Sequence, residues 1–169
     1  DNINKAYNLI STSKVRNEMI IDDVITCVAR KQTPVILTRF KEHAKFLHDA
    51  LKEKADHVFL LYGDNSDKEN AEIRVKLKQI PENESLILVA TGQKIGEGFD
   101  FPRLDVLMLA APVSFEGRLE QYVGRLNRDY VGKEAVYVYD YIDSHVRYFD
   151  KMYAKRLRTY RKMGFSIWT

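Results

Sequence analysis

The stretch LILVATGQKIGEGFDFP, residues 86–102, decides how the rest of the chain is read. Its apolar start shows no alternation, which suits a strand covered on both faces, because a half-solvated strand alternates apolar and polar residues. Polar and glycine-rich sequence follows at once. Gly92, Gly96 and Gly98 permit positive φ and close backbone approach, and N–H groups exposed in such a turn can hold a phosphate. Thr91 adds a hydroxyl, and Asp100 a carboxylate able to accept from a ribose hydroxyl or a partner arginine. Turn geometry by itself is the safer account of the glycines at this point.

Working outward, similar apolar segments rich in β-formers recur at VILT 35–38, HVFLLY 57–62, VLMLAA 106–111 and AVYVYDYI 135–142. Helical patterns separate them. KEHAKFLHDALKEK (41–54) puts Ala44, Leu47, His48 and Leu51 on one face. SDKENAEIRVKLKQI (66–80) opens with Ser66 and Glu69 in capping-box spacing, carries Ile73, Leu77 and Ile80 down one side, and stops at Pro81. NEMIIDDVITCVARK (17–31) repeats Ile20, Val24 and Val28, and residues 144–163 form a basic helix. Strands alternating with helices predict an α/β fold, a parallel sheet sandwiched between helices with right-handed crossovers. Ligand sites in such folds lie at the C-terminal ends of strands, here near Thr38–Lys41, Tyr62–Ser66, Thr91–Asp100 and Ala111–Ser114.

With 169 residues and 45% hydrophobic content, the chain suits one compact domain. A net charge of +3 is too mild to argue for a polyanionic partner, so local clusters must carry that case. The single cysteine, Cys27, excludes an intramolecular disulfide and a multi-cysteine metal cluster, and its apolar neighbours predict core packing. His43, His48, His57 and His145 lack metal-ligand spacing, so no metal site is expected. The start, DNINKAYNLI, lacks signal-peptide character, and no apolar run approaches the ~20 residues that cross a bilayer. A cytoplasmic protein without membrane contact is the expectation. The start at Asp1 suggests a piece excised from something longer.

A second constellation is QYVGRLNR, residues 121–128. Helical spacing gives Arg125 and Arg128 nearly the same face, with Gln121 one turn before Arg125 and Gly124 keeping the surface open. Two adjacent guanidiniums repel unless an anion lies between them, and phosphate accepts their planar forks. Arginines paired with Glu120 or Asp129 on a solvated face are the alternative.

Together these stretches resemble a superfamily 2 helicase of the DEAD/DEAH type, repair and restriction branch. LILVATGQKIGEGFDFP is similar to the fifth helicase motif of the second RecA-like domain, QYVGRLNR to the sixth (QxxGRxxR), and PVILTRFKEHAKFL (34–47) to the fourth. LYGDNSDKEN (61–70) is similar to the turn that follows the fourth, and the likeness spans roughly residues 30–142. One departure is that Gly92 and Gln93 both precede the apolar position of the fifth motif, one residue more than its commonest form.

The resemblance implies a C-terminal RecA-like domain. An N-terminal helical segment would occupy 1–30, a motif-bearing core 31–142 and a basic helical tail 143–169. It implies that Arg128 is the arginine finger and Arg125 its neighbour on the γ-phosphate. Gln121, Gly98 and Asp100 would face the nucleotide, and Thr38, Arg39, Thr91 and Gly92 the nucleic-acid backbone. Neither GxxxxGK[ST] nor a DEAD or DEAH box occurs in the 169 residues. ATP and Mg²⁺ would therefore be held mainly by an upstream RecA-like domain of the same polypeptide, and the isolated chain is expected to be inactive as an ATP hydrolase. The nucleic acid is DNA by preference, with RNA possible. The rival reading is a RecA-like scaffold without motor activity.

Two features lie outside these motifs. Lys151, Lys155, Arg156, Arg158, Arg161 and Lys162, interleaved with Tyr148, Tyr153, Tyr160 and Phe165, suit either nucleic-acid contact or a helix that buries aromatics and solvates cations. Tyr137, Tyr139 and Tyr141 alternate along the last strand and are read as sheet packing.

Overall fold

The computed structural model describes residues 2–92, 101–112, 120–124 and 135–168. In chain order these form α1 (Asn2–Thr12), α2 (Lys14–Ala29), β1 (Pro34–Thr38), α3 (Lys41–Leu51), β2 (His57–Leu61) and α4 (Asp67–Gln79). There follow β3 (Leu86–Thr91), β4 (Val106–Leu109), β5 (Tyr137–Asp140) and α5 (Arg147–Lys162). Residues 120–124 are also helical.

All the expected strands are present, and they form a parallel sheet in the order β2-β3-β1-β4-β5. The non-alternating sequences of β1, β3 and β4 are explained by burial on both faces. Val35, Leu37, Leu86, Leu88, Leu107 and Leu109 share one cluster with Leu77 of α4, Val123 and Tyr160. Ile36, Ile87, Val89 and Met108 turn the other way, onto Ile20, Val24 and Cys27 of α2 and Ala44, Leu47 and Leu51 of α3. The strand period of two thus sorts neighbouring residues into two separate cores. Cys27 is fully buried, as its neighbours predicted.

Local signals set the element ends. α2 begins at Lys14 because the Ser13 side chain caps it by accepting from the Arg16 N–H at 3.3 Å. The capping box of α4 is complete: the Glu69 N–H donates to Ser66 Oγ at 3.1 Å, and the Ser66 N–H donates to Glu69 Oε1 at 2.9 Å. α4 ends where Ile80 turns extended, with ψ of 125°, ahead of Pro81.

Two expectations need correction. His43, not His48, lies on the buried face of α3, because it is drawn between Thr38 and Asn17, while His48 stays partly exposed beside Asp49. In α5, Phe149, Met152 and Tyr160 are buried as a packing helix requires, but Arg156 is no solvated cation. It is 2% exposed, and its Nε and Nη2 donate to the two Asp140 carboxylate oxygens at 2.7 and 2.8 Å. The Tyr160 hydroxyl donates to the same carboxylate at 2.6 Å, so the buried charge is matched by a complete set of partners. Along β5 and just beyond, Tyr141 is buried and its hydroxyl donates to Asp23 of α2 at 2.8 Å, whereas Tyr137 is exposed. α1 packs Tyr7 and Ile10 against Phe149 and Met152, with the Tyr7 and Phe149 rings 4.7 Å apart.

Candidate nucleic-acid and nucleotide interface

The C-terminal ends of β1 and β3 bring together two residues that lie 53 positions apart in sequence, since Thr38 and Thr91 are register partners. Both are buried. Thr38 Oγ1 lies 2.6 Å from His43 Nδ1, and His43 Nε2 lies 2.8 Å from Asn17 Oδ1. Asn17 Nδ2 donates to the Ser11 carbonyl at 2.9 Å, which turns its Oδ1 toward the imidazole. His43 Nε2 must then carry the proton, and Nδ1 accepts from the Thr38 hydroxyl. Burial, and secondarily the positive Arg16, hold the His43 pKa at about 4, below the ordinary 6.5, so the ring stays neutral at pH 7. The Thr38 hydroxyl proton is thereby committed to His43.

Arg39, the next residue, is exposed, and its guanidinium lies 4.4 Å above the Tyr7 ring and 5.9 Å from that of Phe40. The stacking restrains the charge against α1 while leaving it accessible. Beside it runs a groove of about 840 Å³ between α1, α2 and α3, lined by Asn8, Asn17, Phe40 and Phe46 among others.

After Thr91, the Gly92 carbonyl accepts from the Tyr122 hydroxyl at 3.2 Å. A Cβ at Gly92 would lie 2.7 Å from that hydroxyl oxygen, so a side chain there requires Tyr122 to move. Tyr122 and Val123 are buried, whereas Gln121 and Gly124 are exposed, which divides helix 120–124 into an anchored and an open face. Glu120 accepts from Lys162 Nζ at 3.2 Å. Gly98, Asp100, Arg125 and Arg128 lie outside the described residues.

A longer-range contact braces the same edge. Arg16 of α2 donates from Nε to Asp143 Oδ1 at 2.8 Å and from Nη2 to Oδ2 at 3.0 Å, and its Nη1 donates to the Ala110 carbonyl just past β4. Both partners are nearly inaccessible, at 8% and 4%. Neither this brace, nor His43, nor the Tyr122–Gly92 contact was evident in sequence. Asp143 is 127 positions from Arg16 and shares no periodicity with it. Tyr122 reads as one more apolar-face residue; its hydroxyl, wasted on a plain core position, was the available signal.

Residues 16–129 match the model of the helicase conserved C-terminal domain, more than half of the chain. The chain belongs to the helicase C-terminal domain family. Among curated proteins, this helicase domain is 32% identical over 120 residues to transcript termination protein A18 of Yaba-like disease virus, covering 70% of the chain and 24% of that protein. It is 27% identical over 135 residues to A18 of fowlpox virus, covering 78% and 28%. The chain thus spans about a quarter of the length of these relatives. In structure it is similar to T4 UvsW, with a TM-score of 0.74 at 22% identity over 94% of this chain and 35% of that one. It is also similar to domain 2 of the DEAD-box helicase Mss116p, bound there to an RNA duplex, with a TM-score of 0.58 at 22% identity over 79% and 49%. The RecA-like fold expected from the motifs is therefore present.

Within this helicase domain, no described helix is long and apolar enough to cross a membrane, and the described residues contain no cluster of three or more acidic, histidine or cysteine side chains suited to a metal. The outer face of helix 120–124 is open. A Cβ at Gly124 would meet nothing within 4 Å, and the exposed Gln121 amide lies on the same face.

Proposed function

We propose that this chain is the second motor domain of an ATP-dependent helicase or translocase that acts on duplex DNA. Its sixth-motif helix meets a triphosphate held by an upstream RecA-like domain. Arg128 is the finger on the transferring phosphoryl group, Arg125 binds beside it, and Gln121, Gly98 and Asp100 line the nucleotide side. Arg39, Thr91, Gly92 and the backbone at Thr38 contact the nucleic-acid phosphates. The observation that carries the reading is convergence: the strands of the fourth and fifth motifs end as register partners at Thr38 and Thr91, and the Tyr122 hydroxyl of the sixth donates to the carbonyl of the residue after Thr91. The names of the relatives, a helicase and transcript termination proteins, agree with a motor on nucleic acid.

ATP bound between the domains supplies the energy by loss of its γ-phosphoryl group. This chain supplies the charge that stabilises the transition state, and it does so only when the cleft is closed. The isolated chain does not turn over ATP. Grip on DNA is largely independent of sequence and weakens with salt. In the full-length protein, Arg128→Ala and Arg128→Lys should each lower ATP turnover by roughly 10³-fold or more, because an ammonium cannot replace the guanidinium fork. Undiminished turnover in Arg128→Ala would instead support a scaffold without motor activity.

A further inference from the structure

We propose that Tyr122 is a positioning residue that couples the nucleic-acid segment at Thr91 and Gly92 to the nucleotide-facing helix, through its contact with Gly92. The inference rests on the function proposed above and deepens it. Thr91 and Gly92 are the described residues of the fifth motif assigned to nucleic acid, and Gln121 and Gly124 form the exposed face of the helix assigned to the nucleotide. Tyr122 is the described side chain that joins the two, hydrogen-bonded at 3.2 Å to the Gly92 carbonyl.

The contact resists displacement in both directions. If Gly92 moves away from helix 120–124, the hydrogen bond is stretched and a carbonyl and a hydroxyl lose their pairing. If it moves toward the helix, it meets the phenol, which already fills the space that a Cβ at Gly92 would take, 2.7 Å from the hydroxyl oxygen. The φ of Gly92 is not positive, so its backbone does not require glycine; the tyrosine above it does. At its other end the ring is anchored in the core cluster with Val123, Leu88 and Leu109 and is 5% exposed. A shift of Thr91 and Gly92 on binding phosphate is thereby passed to helix 120–124, where the sixth motif begins, rather than absorbed by a loose side chain.

The test is a double-mutant cycle in the full-length protein. It is read as the ratio of ATP turnover with saturating duplex DNA to turnover without DNA. A defect of folding or of catalysis alone lowers both rates and leaves the ratio in place. Tyr122→Phe keeps the ring in the core and removes the hydrogen bond, so the ratio should fall about fivefold, the size of one neutral hydrogen bond. Gly92→Ala drives a methyl group against the hydroxyl and should lower the ratio about tenfold or more. In the double variant the clashing oxygen is gone and the next atom, Tyr122 Cζ, lies at an ordinary 3.6 Å, so the ratio should return to that of Tyr122→Phe alone. An unchanged ratio in Tyr122→Phe overturns the proposal. So does a Gly92→Ala defect of equal size in both backgrounds, which would mean that Gly92 serves the nucleic acid directly. Failure of the underlying reading shows itself elsewhere, as undiminished turnover in Arg128→Ala.

Discussion

Acidifying the solution from pH 7 to pH 5 should remove about 2 kcal/mol of stability through His43 alone. The imidazole ordinarily titrates at 6.5, and in the folded chain burial, with Arg16 nearby, lowers that to about 4. Between these values the unfolded chain binds a proton that the native state refuses, so stability rises with pH across the window. The His43 contribution is fully present above 6.5 and is lost progressively as pH falls to about 4. The slope approaches about 1.4 kcal/mol per pH unit, and the full window amounts to about 3 kcal/mol, against a total stability of roughly 5–15 kcal/mol. Urea unfolding at a series of pH values, for the wild type and for His43→Gln, isolates the effect. Glutamine cannot titrate there but retains polar atoms for Thr38 and Asn17, so the difference between the two curves should steepen between pH 4 and 6.5. Parallel curves would refute the buried neutral imidazole, and with it the commitment of the Thr38 hydroxyl to His43.

Arg156→Met should cost about 3–5 kcal/mol by leaving the Asp140 carboxylate buried without its cation, which lowers the melting temperature by roughly 10 °C. Arg158→Met, on the exposed side of α5, should melt close to the wild type. An Arg156→Met chain with wild-type melting and a shallower salt dependence of DNA binding would return Arg156 to the nucleic-acid surface. Gly124→Ala should stabilise the chain by about 0.5–1 kcal/mol, since alanine suits a helix and its Cβ meets nothing. The same substitution should slow ATP turnover of the full-length protein if the upstream domain closes against that face; stabilisation with unchanged turnover would show that the face stays open.

The layered α/β fold is legible in the sequence, because the signals that encode it are local. Apolar runs without alternation mark strands covered on both sides, Ser66 and Glu69 mark a helix start, and Pro81 marks its end. The family is legible in the same way, since the motifs at 34–47, 86–102 and 121–128 lie within short windows. The state of the individual side chains at those places depends on packing between elements. Thr38 looks like a free hydroxyl in sequence, yet its proton is taken by His43, which Asn17 orients from a different helix. Arg156 is indistinguishable in composition from Lys155 and Arg158, yet helical phase turns it inward onto Asp140. Arg16 and Asp143, and likewise Gly92 and Tyr122, become partners only when the sheet closes the distance between them. Periodicity records which face a residue takes along its own element. The partner it finds there depends on how the elements pack, and at this edge of the sheet that packing decides which polar groups are already engaged within the chain.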